Sequence, residues 1–259
     1  MQDQTIKEKV KESYGKIALT GNSLQGCCGP SECCSSTISV TSPLQIAKNI
    51  GYNSKELQSV PESSILGVGC GAPVNFADIQ EGEVVVDIGS GGGIDVFLSA
   101  NKVKASGKII GIDMTEEMLE KARTNAINAG YTNVDFQKGD IEKGILIESD
   151  TADVVISNCV INLTIDKVAA FKEIYRILKP KGRMVISDLV TTKEIEIEAA
   201  NAGDWCSYID GALTSENYID SIKKAGFKSV EILQEMPYLE DKVGDRKITS
   251  LVIKAVKKE

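Results

Sequence analysis

Apolar positions switch between two periods along the chain. From 5 to 18, Ile6, Val10, Tyr14 and Ile17 recur at helical spacing and predict an amphipathic helix. Ser42-Pro43 predicts the start of a second helix, with serine as N-cap, proline at the first position, Gln45 closing a capping box and Gly51 left-handed at the end. A shorter helix is expected over 54–60, stopped by Pro61. From Phe76 onward, short apolar runs alternate with helical patterns. Strands are expected at 84–88, 108–112, 134–138, 153–157 and 183–188, and helices at 94–102, 115–129 and 166–178. A polar helical stretch follows at 193–203, then a short helix at 215–225 and closing strands at 230–233 and 249–256. Strands alternating with helices imply an α/β fold with right-handed crossovers. The expected sheet is doubly wound and mostly parallel, and the last two strands form a hairpin that adds an antiparallel edge strand. Three regions are expected: a helical, cysteine-bearing cap at 1–75, the sheet body at 76–190 and a small C-terminal region at 191–259.

Composition narrows the class. With 42% hydrophobic and 25% charged residues in 259, the chain reads as an ordinary globular protein with material for a full core. No apolar run is long enough to span a membrane, and the charged N-terminus lacks the apolar centre of a signal peptide. A net charge of -8 shows no basic footprint, which argues against nucleic acid and toward neutral or cationic small molecules. There is no histidine, so the commonest general base and every imidazole ligand are absent. Seven cysteines, an odd number without an export signal, are expected as thiols in a reducing cytoplasm.

The stretch 84–95 reads VVVDIGSGGGID. A β-branched run meets Asp87, then a glycine turn, then a helix start; this is the entry to a nucleotide-binding half of a doubly wound sheet. A dinucleotide fingerprint needs glycine at the sixth position from Gly89, where Ile94 stands. Asp113, at the next strand end, is placed to accept from ribose hydroxyls. Ligands in such sheets sit outside the carboxyl ends of the strands, so Asn158 and Cys159 share the rim with the glycine turn. Cys159 also suits a small core filler. Cys70 lies in the glycine-rich loop 63–74, and Cys206 adjoins Trp205, the sole tryptophan.

The pattern Asp87-x-Gly89-x-Gly91-x-Gly93 resembles motif I of the class I S-adenosylmethionine-dependent methyltransferases, with their Rossmann-like sheet. Gly69-Cys70-Gly71-Ala72-Pro73, Gly111-Ile112-Asp113-Met114-Thr115, Ser157-Asn158-Cys159-Val160-Ile161-Asn162-Leu163, the segment 174–182 and Cys206 before Gly211-Ala212-Leu213 narrow the likeness. Over about 14–213 the chain is similar to arsenite S-adenosylmethionine methyltransferases. That resemblance implies S-adenosylmethionine as cofactor and trivalent arsenic on Cys70, Cys159 and Cys206. It also implies an N-terminal cysteine paired with Cys70. Two Cys-Cys pairs stand where one partner is expected, leaving Cys28, Cys33 and Cys34 as candidates. Thioredoxin or a small thiol is the implied reductant.

For the cofactor, the resemblance points to Asp87, Gly89, Ser90, Gly91 and Gly93 near the methionine moiety and Asp113 on the ribose. Met114 is expected on adenine, with Gly139, Asp140 and Ile141 nearby and Asp140 accepting from the exocyclic amine. Asn158 joins the set, and Tyr14 and Gly15 fold over the cofactor. Ordinary helix-face packing of Tyr14, and a helix cap at Asp140, are equally open. The chemistry agrees with the composition: trivalent arsenic is soft and prefers thiolates. Its lone pair attacks a methyl group without losing a proton, so no general base is needed. A methyltransferase of another small metabolite and a non-catalytic soft-metal- or metalloid-binding protein remain the alternatives.

Overall fold

The computed structural model describes residues 2–21, 42–196, 200, 205–238 and 245–259. Fourteen principal elements follow one another among them. They are α1 (Gln2–Thr20), α2 (Pro43–Asn49), α3 (Ser54–Gln58), β1 (Val84–Ile88), α4 (Ile94–Val103), β2 (Lys108–Asp113), α5 (Glu116–Ala129), β3 (Val134–Lys138), β4 (Ala152–Asn158), α6 (Lys167–Ile177), β5 (Leu178–Thr191), α7 (Ser215–Lys224), β6 (Val230–Pro237) and β7 (Ile248–Val256).

The strands form one seven-stranded sheet in the order β3-β2-β1-β4-β5-β7-β6. The first five pair in parallel, and β7 runs antiparallel to both β5 and β6. The closing hairpin thus brings in the expected antiparallel strand, with β6 outermost. Successive strand residues face opposite layers. Val85, Ile109 and Val154 join the core with α4 and α5, while Val86, Ile110 and Val155 join the core with α6 and α7. Burial on both faces explains why these strands read as continuous apolar runs.

Local stop and start signals account for most boundaries. Thr115 precedes α5 and Gly130 ends it in the left-handed conformation. Asp166 caps α6 by accepting from Ala169 N–H at 2.8 Å. Ser42 caps α2 through Gln45 N–H, but the Gln45 side chain bonds Asn49 at 2.9 Å, so the expected capping box is absent there. A reciprocal box stands instead at Asn53 and Glu56, heading α3. β5 is much longer than 183–188, because its pairing with β7 extends from Arg183 to Thr191. Residues 193–196 are not helical. Glu194 instead accepts from Thr214 N–H and Asn217 at the head of α7. Most of the remaining expected helix, and Cys28, Cys33 and Cys34, lie outside the described residues. Among the described residues no helix is long and apolar enough to cross a membrane.

Candidate active site

The carboxyl ends of β1, β2, β3 and β4 open onto one cavity. The glycine turn is its floor. Gly89 and Gly91 have φ of 74° and 51°, a region costly for residues with a Cβ. A Cβ on Gly89 would lie 2.1 Å from Val160, whereas one on Gly91 would meet nothing nearer than Met118 at 4.0 Å. The turn is therefore packed on one side and open on the other. Gly91 N–H donates to Asp113 at 2.9 Å, and Thr115 N–H donates to its other oxygen at 2.8 Å. Asp113 is thus held at the end of β2, where it was expected.

Met114, Gly139, Asp140, Ile141, Asn158 and Tyr14 also line this cavity. Helix α1 closes the rim. Lys7 on α1 binds Asp140 at 2.8 Å and Glu142 at 2.5 Å, so both Asp140 oxygens already face an ammonium. Tyr14 donates to the carbonyl of Cys206 at 3.1 Å. Two expected cofactor residues, Gly93 and Gly15, line neither this cavity nor the recess beside it. Gly93 packs against Phe97, which a Cβ would approach to 2.7 Å. Gly15 faces Glu117 on α5.

A narrower recess adjoins the first and shares Gly89, Gly91 and Asn158 with it. Asp87, Ser90, Asp95 and Tyr52 line this recess. Asp87 and Asp95 are fully buried, and burial raises both carboxyls. Asp95 is pushed up to about 7, against hydrogen bonds from Tyr52 and Asn158. Asp87 stands well above its ordinary value, through burial and then through the charges of Asp95 and Asp113. Burial raises Asp113 as well. Asp95 Oδ1 and Ser90 Oγ are buried without a hydrogen-bond partner. Three clustered acids and an unsatisfied carboxylate oxygen suit a cationic ligand.

The three described cysteines share an apolar cluster with Trp205, Leu163 and Tyr208, and this cluster meets the cavity at Cys159, Leu163 and Tyr208. Cys70 and Cys159 are joined by a disulfide, with Cα atoms 5.9 Å apart. Cys70 was expected to pair with an N-terminal cysteine; its partner here is Cys159. Cys159 follows β4 with φ of 58°, and its N–H donates to Ser187 at 2.8 Å. This sharp turn puts a cysteine at the cavity wall. Cys206 keeps its thiol and is buried. The tight ligand group among the described residues is Cys70, Cys159 and Asp188, all within 4.8 Å of one another, and Cys206 stands outside it. Asp188 accepts from Leu189 N–H, Asn162 N–H and Tyr218 O–H at 3.0 Å each. Burial pushes Asp188 up and its neighbour Lys167 down.

Tyr52, Asp95, Asp188 and Lys7 escaped the sequence reading. Asp95 had a signal, lying in the first turn of the helix that follows the glycine loop. Asp188 is an acid on a central strand that a rim-by-rim reading could have flagged. Tyr52 and Lys7 had none, since only the folding back of the N-terminal region brings them to the rim.

Comparisons with known proteins agree with this geometry. A family model described as a methyltransferase domain matches residues 79–242. The arsenite methyltransferase of Halobacterium salinarum is 35% identical, over 97% of this chain and 66% of that protein. The arsenite methyltransferase of Aquipseudomonas alcaligenes is 31% identical, over 97% of this chain and 72% of that protein. The chain thus spans about two thirds of the length of these relatives. Among solved structures, an arsenic (III) S-adenosylmethionine methyltransferase from Chlamydomonas reinhardtii superposes with a TM-score of 0.67 at 28% identity, covering 82% of this chain and 74% of that one. The chain belongs to the methyltransferase-domain family and, within it, to the arsenite methyltransferases.

Proposed function

We propose that the chain transfers a methyl group from S-adenosylmethionine to trivalent arsenic held by cysteine thiolates. One observation carries this reading: Cys70 and Cys159 meet at bonding distance beside a cavity whose adjoining recess is lined by the buried carboxylates Asp87 and Asp95.

S-Adenosylmethionine fits the donor set, because its ammonium and sulfonium charges answer Asp87, Asp95 and Asp113. Gly89, Ser90, Gly91 and Asp87 hold its methionine end, Asp113 its ribose, and Met114, Gly139, Asp140 and Ile141 its base. The cofactor supplies an electrophilic methyl group on a positively charged sulfur. Helix α1, tied down by Lys7 and Tyr14, excludes water from the cavity.

Cys70, Cys159 and Cys206 bind the substrate. Each thiol proton leaves with an arsenite hydroxyl as water while an arsenic–sulfur bond forms. The arsenic keeps its lone pair, and the thiolates aim it at the cavity. No proton is lost from arsenic, so a chain without histidine is equipped for the reaction. Cys206 must approach the other two sulfurs to complete a three-thiolate site. Methylation takes arsenic from trivalent to pentavalent. Two sulfurs return two electrons as they join in a disulfide; arsenic-bound thiolates gave up their protons as water on binding, whereas two thiols not bound to arsenic release two protons. Cys70–Cys159 is one such pair, and Cys28, Cys33 and Cys34 stay candidates for another. Thioredoxin or a small thiol restores the dithiol by exchange. A reducing cytoplasm suits this cycle. The working division is a cap at 1–75, a cofactor-binding body at 76–190 and an arsenic-binding and closing region at 191–259.

Trp205 offers the test. It is buried, donates to Leu163 at 3.2 Å and adjoins Cys206. Arsenite added to the reduced protein is expected to change its fluorescence, and Cys206→Ser to abolish the change. An unchanged signal in reduced wild-type protein contradicts the reading.

A further inference from the structure

A chain of hydrogen bonds joins the acid-lined recess to the cysteine loop. Tyr52 O–H lies 2.8 Å from Asp95 Oδ2. Asn158 Nδ2 lies 3.1 Å from the Tyr52 oxygen and 2.6 Å from the carbonyl of Gly71. Cys70 N–H lies 3.1 Å from Asn158 Oδ1. Tyr52 and Asp95 are each only 3% exposed, so water does not substitute for these partners.

The chain has a direction. An ionised carboxylate can only accept, so Tyr52 must donate to Asp95. The Tyr52 oxygen is then free to accept from the Asn158 amide. That choice agrees with the amide orientation the loop requires, with Nδ2 toward Tyr52 and the Gly71 carbonyl and Oδ1 toward Cys70 N–H. A neutral Asp95 can instead donate to Tyr52, which turns the Tyr52 proton toward Asn158 and sets two donors face to face. That repulsion pushes the Asn158 amide away from Tyr52 while the Gly71 carbonyl still holds its Nδ2, which displaces the Oδ1 that accepts from Cys70 N–H. Asp87, Glu56 and Lys102 are the other charged groups acting on Asp95. Asp95 lines the recess, and its Oδ1 is buried without a hydrogen-bond partner.

We propose that Tyr52 is a positioning residue that couples the two substrates: a cationic donor holds Asp95 ionised, and Tyr52 passes that state through Asn158 to the backbone of Cys70. Donor occupancy therefore tightens metalloid binding, and the metalloid tightens donor binding by the same factor. Tyr52 touches neither reacting group. This inference rests on the proposed function, with S-adenosylmethionine in the cavity and arsenite on the cysteines.

The test measures coupling. Full-length protein reduced with a phosphine, which does not compete for arsenite as a dithiol does, is titrated with arsenite through Trp205 fluorescence. The titration is made with and without saturating S-adenosylhomocysteine, which keeps the ammonium and prevents turnover, and calorimetry gives donor affinity with and without arsenite. In wild-type protein each ligand is expected to tighten the other at least about fivefold. In Tyr52→Phe the ratio is expected to fall to about 1. A merely structural loosening weakens arsenite binding in both states and leaves the ratio unchanged. Asn158→Ala is the second variant, and it too is expected to lose the ratio. A wild-type ratio near 1, or a ratio kept in either folded variant, overturns the coupling while the proposed function stands. Failure of wild-type protein to bind either ligand overturns both.

Discussion

A carboxylate buried without a counterion is costly, and Asp95 shows the consequence. Burial raises it from 3.8 to about 7, although Tyr52 and Asn158 both favour its charge. In the ligand-free protein the folded form keeps this proton longer than the unfolded chain. Its contribution to stability is therefore fully present below about 4 and lost as pH rises to about 7. Binding of a cationic donor runs the other way, because it selects the ionised acid. Donor affinity measured by calorimetry is expected to rise with pH toward 7 and level off above. Asp95→Asn is expected to weaken binding and flatten that rise; an unchanged profile removes Asp95 from the donor site. Gly71 sets a different limit. A Cβ there would lie 2.1 Å from Ser187 Oγ, so the loop carrying Cys70 has no room for one. Gly71→Ala is expected to cost about 1–3 kcal/mol in denaturant unfolding, the range for overpacking. Arsenite affinity should fall with it, since Asn158 and Ser250 pin the same loop.

At the scale of elements, α1 links the two halves of the site. Lys7 reaches the base end of the cavity through Asp140 and Glu142, and Tyr14 reaches Cys206. These partly exposed pairs are each worth about 0.5–1 kcal/mol. Lys7→Ala is expected to speed amide hydrogen exchange in α1 and to weaken donor binding a few-fold, about two- to fivefold. Slow, unchanged exchange would show that apolar packing on α5 alone holds the helix. The elements themselves were legible in sequence: β1 matches its expected bounds because a buried parallel strand carries an uninterrupted apolar run, and the edge strand β3 matches through the alternation of VDFQK. β5 was read too short. Its first part is polar and its last part owes its strand form to pairing with β7, a partner that no local pattern reveals. In the site, the glycine turn and Asp113 were readable because a strand end and its turn are adjacent in sequence. Gly93 packs against Phe97 and does not line the cavity, and motif spacing alone does not say which glycine of the turn faces which side. The Cys70–Cys159 pairing spans 89 residues, and distance of that kind is invisible without the fold.

At the scale of the molecule, the sheet sets a platform and the N-terminal and C-terminal segments fold over one edge of it. The platform holds an acid-lined cavity with Cys159 at its wall, and the N-terminal segment brings Cys70 onto Cys159. The oxidised Cys70–Cys159 pair makes activity conditional on reduction, because two proposed arsenic ligands are bonded to each other until a thiol opens them. The most direct measurement combines reduced protein, arsenite and S-adenosylmethionine labelled in its methyl group, with arsenic species separated and counted by mass. Labelled methylarsenic, formed only with reductant and lost in both Cys159→Ser and Cys206→Ser, is the expected result. Protein that binds S-adenosylmethionine and arsenite under these conditions, yet leaves the arsenic unmethylated, contradicts the assignment.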